Sequence, residues 1–278
     1  MRDWMSPRGV KRLVMKKLAL IFTLVCALCA LMYAGPEPFS GKEMKQVVPP
    51  PPACPDWTGF YIGGFGGYKY GGTDVALDLF GNWLTDGTGD NVPLASRGSE
   101  GLDTSGFELG GLIGYNYQWN KWVFGLEASG GYVWLRDSHD TGIFTTNFGD
   151  TYDLNTSFKS HYLVTLGPRI GYAFCRWLPY VTGGLAVGDI DFHQRITQHN
   201  VVFSEGGDAS DDNAGWMVGA GLQYAISDHW SARAQYQYID LGCVDFNSVG
   251  SARFQGYLGN HEACLTEHNA SFAIIYKF

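Results

Sequence analysis

The last eleven residues, 268–278, alternate strictly between two kinds of side chain. One face would carry Ala270, Phe272, Ile274, Tyr276 and Phe278, and the other Asn269, Ser271, Ala273 and Lys277. A period of two is typical of a β-strand with one apolar and one polar face. About ten such residues suffice for a strand to cross a membrane. The C-terminus therefore predicts one membrane-crossing strand.

Seven further segments are predicted strands: 57–70, 106–118, 122–135, 160–174, 177–192, 214–226 and 230–241. Apart from 177–192, which is rich in glycine and leaves its two faces unassigned, they alternate bulky with small or polar residues. In 160–174, for example, Val164, Leu166 and Ile170 alternate with Thr165 and Arg169, and His161 falls on the polar face. A soluble lipocalin-like barrel would place its apolar face inside, whereas bulky aromatic side chains fit the larger outer perimeter. We predict an all-β fold, an eight-stranded antiparallel up-and-down transmembrane β-barrel over residues 57–278.

The connections between these segments alternate in length. Turns at 119–121, 175–176 and 227–229 are short, whereas the polar stretches 71–105, 193–213 and 243–267 read as long loops. Short turns of such barrels face the periplasm and long loops face outward. Tryptophans at the segment ends are expected to form the aromatic girdles at the two membrane surfaces; they are Trp57, Trp122, Trp134, Trp177 and Trp230.

The N-terminus carries export signals. Lys16 and Lys17 precede an apolar run over 18–32, which predicts a signal peptide over residues 1–34. Cys26 and Cys29 leave a lipoprotein reading open. Residues 35–56 include four consecutive prolines and no periodicity, which predicts a periplasmic tether.

Charge restricts the function. Without residues 1–34 the chain keeps 13 of its 19 basic and 26 of its 27 acidic residues. A basic nucleic-acid footprint is therefore absent from the sequence. The histidines lack the spacing of a zinc site, and neither a metal nor another cofactor is expected.

Five charged residues fall on the faces predicted to line the lumen: Glu108, Glu127, Arg169, Arg233 and Lys277. Eight strands enclose a space that side chains can fill, so opposite charges there are expected to pair and hold the barrel closed. The alternative is an ion path through the same charges. His229 and Ser231 would share a strand face and form a candidate lipid-hydrolase pair, although no carboxylate accompanies them.

Four cysteines remain after processing. Cys243 and Cys264 bracket the last outer loop and are expected to form a disulfide. Cys54 and Cys175 could bridge only if the tether folds under the barrel rim. Intermolecular pairing or free thiols are therefore the alternatives for these two.

Several blocks, in order, resemble the small outer-membrane β-barrel proteins, often described as porin-family or OmpA-like transmembrane barrels. They include residues 57–64 (WTGFYIGG), 166–172 (LGPRIGY) and 230–242 (WSARAQYQYIDLG), and the terminal Phe278. Family members usually carry Glu at the position of Gln235. The resemblance implies a Gram-negative-type outer-membrane protein, surrounded by lipid and lipopolysaccharide. It also implies insertion by the barrel-assembly machinery, with Phe278 as the assembly signal.

These observations predict a non-enzymatic surface barrel that contributes to envelope integrity, with outer loops that could contact a surface or host ligand. A small-solute porin is the alternative. A lipid-modifying enzyme that uses His229 and Ser231 is the third hypothesis.

Overall fold

The computed structural model describes residues 54–146, 149–251 and 254–278. The predicted signal peptide and all but the last three residues of the predicted tether lie outside these ranges. The long strands are β1 (Gly59–Gly81), β2 (Leu102–Trp119), β3 (Trp122–Asp140), β5 (Thr151–Tyr172), β6 (Trp177–Gln198), β7 (Phe203–Ala225), β8 (Trp230–Val249) and β9 (Tyr257–Lys277). Smaller elements are a 3-10 turn (Asn82–Leu84), helix α1 (Asn91–Gly98) and the two-residue strand β4 (Phe144–Thr145). Within the described residues, no helix is long and apolar enough to cross a bilayer.

The eight long strands form a closed antiparallel ring. Each pairs with the next along the chain, β3 pairs with β5, and β9 pairs back with β1 over Tyr61–Gly81. Closure leaves no sheet edge around the ring where the strands pair. The predicted eight-stranded up-and-down barrel is confirmed.

Short turns join the strands at one end of the barrel. Asn120 and Lys121 alone connect Trp119 to its partner Trp122, and Asn120 has a φ of 56°. Two-residue hairpin loops need positive φ, which asparagine tolerates better than most residues. This end carries the β2–β3, β5–β6 and β7–β8 turns, as the short connections predicted.

The opposite end differs from the prediction, because most of the expected long loops are strand. The stretch 193–213 was expected to be a loop, but β6 runs to Gln198 and β7 starts at Phe203. Similarly, β1 continues to Gly81, and β8 and β9 extend through most of 243–267. The barrel therefore rises well beyond the segments that the aromatic pattern marked.

The pattern failed there because the two faces exchange character along each strand. In the lower part of β6, Leu185 and Val187 point outward and are exposed. Beyond Val187, the outward positions are Asp189, Asp191 and His193, whereas Ile190, Phe192 and Ile196 point inward and are buried. The lower barrel thus carries an apolar outer belt, and the upper barrel (the extension) has an apolar interior and a polar outer surface, as a water-soluble barrel does.

Helix α1 and the 3-10 turn close the top of the extension. Leu94 and Trp83 are buried there with Leu77, Leu154 and Phe203. Gly98 at the end of α1 allows the approach, since a Cβ at this position would lie 2.3 Å from the Leu77 side chain. We call residues 82–101 the cap.

Candidate functional site

The lower lumen holds a cluster around Glu127. Its Oε2 atom accepts hydrogen bonds from Nη1 of Arg233 at 2.6 Å, from Nη1 of Arg169 at 3.1 Å and from the Tyr61 hydroxyl at 2.7 Å. The Arg169 guanidinium also stacks 3.9 Å from the centre of the Tyr180 ring. The structure therefore brings three of the five predicted lumen charges into one ion-paired group.

A second charged cluster lies higher in the lumen. Lys69 Nζ donates to Glu267 Oε2 at 2.8 Å and lies 3.9 Å from Glu108, which also accepts from Asn269 Nδ2 at 2.7 Å. Sequence reasoning missed Lys69 and Glu267. Lys69 shares the inward face of β1 with Phe65 and Gly67, so its position in the strand alternation could have identified it as a lumen residue. Glu267 falls in the stretch 243–267, which the sequence predicts as a loop.

The two clusters compensate each other electrostatically. The lower one has two arginines and one glutamate, and the upper one has one lysine and two glutamates. Burying ions is costly unless they are paired, so this arrangement lets a narrow interior hold six charges. Gln235 accepts from the Tyr180 hydroxyl, and this position therefore joins the network through an amide.

Lys277 joins neither cluster. It points inward, as its strand parity predicted, but its ammonium group donates to the backbone carbonyl of Asp56 at the lower rim. Its observed partner is thus the chain segment that precedes β1, and the other four predicted lumen charges pair higher in the barrel.

That segment passes under the barrel. Cys54 and Cys175 form a disulfide, one of the arrangements that the sequence left open. Trp57 was expected in an aromatic girdle but is only 4% exposed, and its indole N–H donates to the Cys175 carbonyl at 3.3 Å. The girdle prediction is wrong for Trp57, because the disulfide draws the segment inward beneath the rim.

Above the charged clusters, apolar side chains fill the barrel. Phe158, Ile190, Phe192, Ile239 and Leu265 are at most 1% exposed and belong to one continuous cluster inside the extension. Close-packed apolar side chains leave no path for water or ions. The interior is thus occupied from the lower rim to the cap.

A chain of buried polar groups crosses this apolar interior. Nε2 and Oε1 of Gln194 face the Gly98 carbonyl and Nδ1 of His261, at 2.8 and 2.7 Å. Nε2 of His261 lies 2.7 Å from Oγ of Ser248, which lies 2.8 Å from Glu205. Trp83 Nε1 donates to the other Glu205 oxygen at 2.8 Å.

Donor and acceptor roles along this chain favour a neutral Glu205. Because the Gln194 carbonyl oxygen only accepts, Nδ1 of His261 donates to it, and in a neutral imidazole Nε2 then accepts the Ser248 hydrogen. The Ser248 oxygen is then free to accept a hydrogen bond from a protonated Glu205 carboxyl. Burial raises the pKa of the Glu205 carboxyl, and burial lowers the pKa of His261 to about 4, in agreement with a neutral pair.

The remaining predicted residues lie at the surface or apart. Cys243 and Cys264 are directly paired across β8 and β9 and form the expected disulfide, on the outer face of the extension. Phe278 is exposed, and its amide donates to the Phe60 carbonyl at 3.0 Å. Its role as an assembly signal remains a prediction.

The hydrolase hypothesis finds no matching geometry at His229 and Ser231. His229 lies in an exposed turn with Nδ1 2.9 Å from the Lys277 carbonyl, whereas Ser231 points inward and accepts from Gln223 at 2.8 Å. The two side chains have separate partners, so the predicted shared face is wrong. His161 is likewise displaced from its predicted inward face by a bulge in β5.

Comparison with known proteins identifies the family to which this barrel belongs. Residues 50–278 match the sequence model described as the outer membrane protein beta-barrel domain. The chain belongs to this outer-membrane β-barrel family. It is an outer-membrane protein, and the apolar belt is the part of its surface that faces lipid.

Similarity to individual proteins is moderate in sequence and low among solved structures. The chain is 30% identical over 251 residues to the 31 kDa outer-membrane immunogenic protein of Brucella melitensis biotype 1, covering 86% of this chain and 95% of the relative. It is 27% identical to the 22 kDa outer membrane protein of Rhizobium leguminosarum bv. viciae, over 76% and 77%. Among solved structures, the outer membrane protein OprG from Pseudomonas aeruginosa shares 14% identity at a TM-score of 0.40, over 81% of this chain and 99% of that one.

Proposed function

We propose that this protein is a sealed, non-enzymatic surface barrel that contributes to envelope integrity and presents its extension to the exterior. The observation that carries the proposal is the filled interior. Trp57, two ion-paired clusters, the apolar layer and the cap follow one another along the barrel axis. Such an interior stabilises the barrel and offers no open path through it.

A small-solute porin is the second candidate, and the polar lower lumen is the observation that favours it. An ion entering from the lower rim would meet Glu127 and Arg233, which line a small cavity together with Gln235 and Gln237. It would then have to cross the apolar layer around Phe158 and Phe192, where ion transfer is costly. The sealed barrel accounts for both halves of the interior, whereas the porin accounts only for the lower one.

An enzymatic role has weaker support. His229 and Ser231 have separate partners. The Ser248 and His261 pair has hydrogen-bond geometry, but it is buried beneath the cap, and an amide, Gln194, holds the histidine where a hydrolase would use a carboxylate. A nucleophile that substrate cannot reach does not support catalysis.

The outer surface of the extension is the part suited to contacts with the exterior. Its outward strand positions carry Asp189, Asp191, Asp208 and Asp212, and the Cys243–Cys264 disulfide braces a neighbouring hairpin. A relative is named as immunogenic, which fits a protein whose outer part is accessible. We propose lipid and lipopolysaccharide around the belt, the barrel-assembly machinery as folding partner, and a surface or host ligand for the extension.

Planar-bilayer recording of the refolded mature protein tests the sealed interior. Heat-modifiable gel migration first establishes that the barrel has folded. We expect no conductance steps from the wild-type protein, with a general porin added afterwards to verify that the bilayer can report channels. Steady conductance that changes on Glu127→Gln or Arg169→Gln substitution would instead establish the porin.

The envelope role needs a test in cells. A strain lacking the gene should become more sensitive to detergent and to large hydrophilic antibiotics, and the wild-type gene should restore resistance. Unchanged sensitivity in the deletion strain would contradict a structural role while leaving the sealed barrel intact.

A further inference from the structure

Three metal-ligating side chains meet on the outer face of the extension, just above the apolar belt. Nδ1 of His161 lies 2.7 Å from Oδ2 of Asp189 and 3.5 Å from Oδ2 of Asp191. All three ligand atoms lie within 4.8 Å of one another. His161 is 41% exposed and Asp191 38%, so an ion from outside can reach the group.

The backbone builds this arrangement. Lys159 pairs with Asp191 and Leu163 with Gly188, so β5 places three residues opposite two of β6. This bulge turns His161 outward, where its strand parity alone would have placed it in the lumen. Asp189 and Asp191 are two residues apart on one strand and therefore share the outer face.

The same bulge orients the Asp189 carboxylate. The backbone amides of His161 and Tyr162 both donate to Oδ1 at 2.7 Å, which leaves Oδ2 directed at the imidazole. Two amide donors on one oxygen hold the Asp189 carboxylate in a fixed orientation.

Negative charge exceeds positive charge around the group. Asp212 pairs with Asp189 across β6 and β7 and accepts from the Tyr162 hydroxyl at 2.6 Å. One imidazole nitrogen can donate only one hydrogen, so it cannot serve both Asp189 and Asp191. Lys159 is opposite Asp191 in register but makes no ion pair within 4.0 Å in the described part of the chain.

Two other histidine–aspartate pairs on this surface differ in composition. His193 lies 3.1 Å from Asp208, and His199 lies 3.0 Å from Asp153. Neither belongs to a group of three ligand side chains within the described residues. Each of these two pairs is an ordinary surface contact between one histidine and one carboxylate. The group at His161 differs, because it has a second carboxylate, Asp191, and a bulge that turns the imidazole outward.

We propose that His161, Asp189 and Asp191 form a binding site for a divalent transition-metal ion of the Zn²⁺ class. Ligand atoms bound tetrahedrally at about 2.0–2.1 Å from Zn²⁺ are roughly 3.3 Å apart, which the distances of 2.7 and 3.5 Å bracket. The imidazole nitrogen favours Zn²⁺ over Mg²⁺ or Ca²⁺, which prefer all-oxygen sites. Water completes the coordination. The site is independent of whether the lumen conducts.

Calorimetric titration of the refolded mature protein with Zn²⁺ tests the site, in a buffer free of phosphate and chelators. We expect one ion to bind per chain, with affinity at least tenfold lower in the His161→Ala and Asp191→Asn variants. The matched controls His193→Ala and His199→Ala, each with its neighbouring carboxylate intact, should bind as the wild type does. A hundredfold excess of Mg²⁺ should not displace the ion.

Heat-modifiable migration of each variant shows whether the barrel has folded. If His161→Ala does not fold, electron paramagnetic resonance of Cu²⁺ bound to the wild-type protein decides, since the site requires coupling to a single imidazole. The proposal is overturned if His161→Ala and Asp191→Asn bind as the wild type does, if His193→Ala loses as much affinity, or if Cu²⁺ shows no nitrogen coupling.

Discussion

Glu127 should be the most sensitive charged position of the barrel. It is the acidic partner of two arginines whose side chains are 2% and 3% exposed. A Glu127→Gln substitution keeps the size of the side chain but leaves both guanidinium groups without an anion. Removing one partner of a buried ion pair typically costs about 3–5 kcal/mol. Arg169 retains Gln223 and the Tyr180 ring, so we expect a loss of about 3 kcal/mol.

The assay is urea unfolding in lipid vesicles, followed by tryptophan fluorescence and by the heat-modifiable band. Asp78→Asn is the matched control, since Asp78 is exposed on the outer face of β1, and its change should stay within about 0.5 kcal/mol. The double variant Glu127→Gln with Arg233→Gln should be more stable than the sum of its two single changes predicts, because it removes both charges of the shortest pair. A Glu127→Gln protein within about 1 kcal/mol of wild type would refute the reasoning from buried charge.

Three further outcomes follow from the cap, the disulfides and the last residue. Burial raises the pKa of the Glu205 carboxyl, so the contribution of this group to cap stability is complete at low pH and is lost as pH rises through the folded-state pKa. Glu205→Gln should abolish this pH-dependent loss, measured by hydrogen exchange of residues 82–101. The control Glu262→Gln should retain it. The Cys54–Cys175 disulfide spans 121 residues and the Cys243–Cys264 disulfide spans 21. On the loop-entropy model, removing the first should destabilise the barrel by about 1–2 kcal/mol more than removing the second. Equal urea midpoints for the two double Cys→Ser variants would contradict this prediction. Deleting Phe278 should lower the amount of barrel assembled in cells but not the urea midpoint of refolded protein, and normal assembly would refute its role as a signal.

The lipid-facing half of the molecule could be predicted from the sequence because there each residue meets one of two contrasting environments. Phe272 and Ile274 contact lipid, and Ser271 and Asn269 face a polar lumen, so alternation reports the fold directly. The charges Glu127, Arg169 and Arg233 could be placed inside from parity alone. Their mutual pairing required knowing which strands close the ring.

The extension was missed for a physical reason. Once the outer face meets water, aspartate and serine replace aromatic residues outward, and the inward apolar residues no longer stand out among them. Ile196 and Phe203 are buried inside the barrel, but the polar stretch 193–213 that contains them resembles a loop. The same change of solvent concealed Glu205 and His261, which lie within segments read as loop.

The sequence by itself determined the strand period, the number of barrel strands, the short turns and the inward placement of Glu108, Glu127, Arg169 and Arg233, because these depend on neighbours along one chain. Tertiary structure alone decided the contacts between distant segments: the passage of Trp57 beneath the rim, the pairing of Lys69 with Glu267, the cap over the apolar layer and the outward turn of His161. Each of these brings together residues that are far apart in sequence, through a bulge, a disulfide, ring closure or apolar packing. No periodic pattern encodes such a contact, since its energy comes from burial and charge pairing that exist only once the barrel has closed.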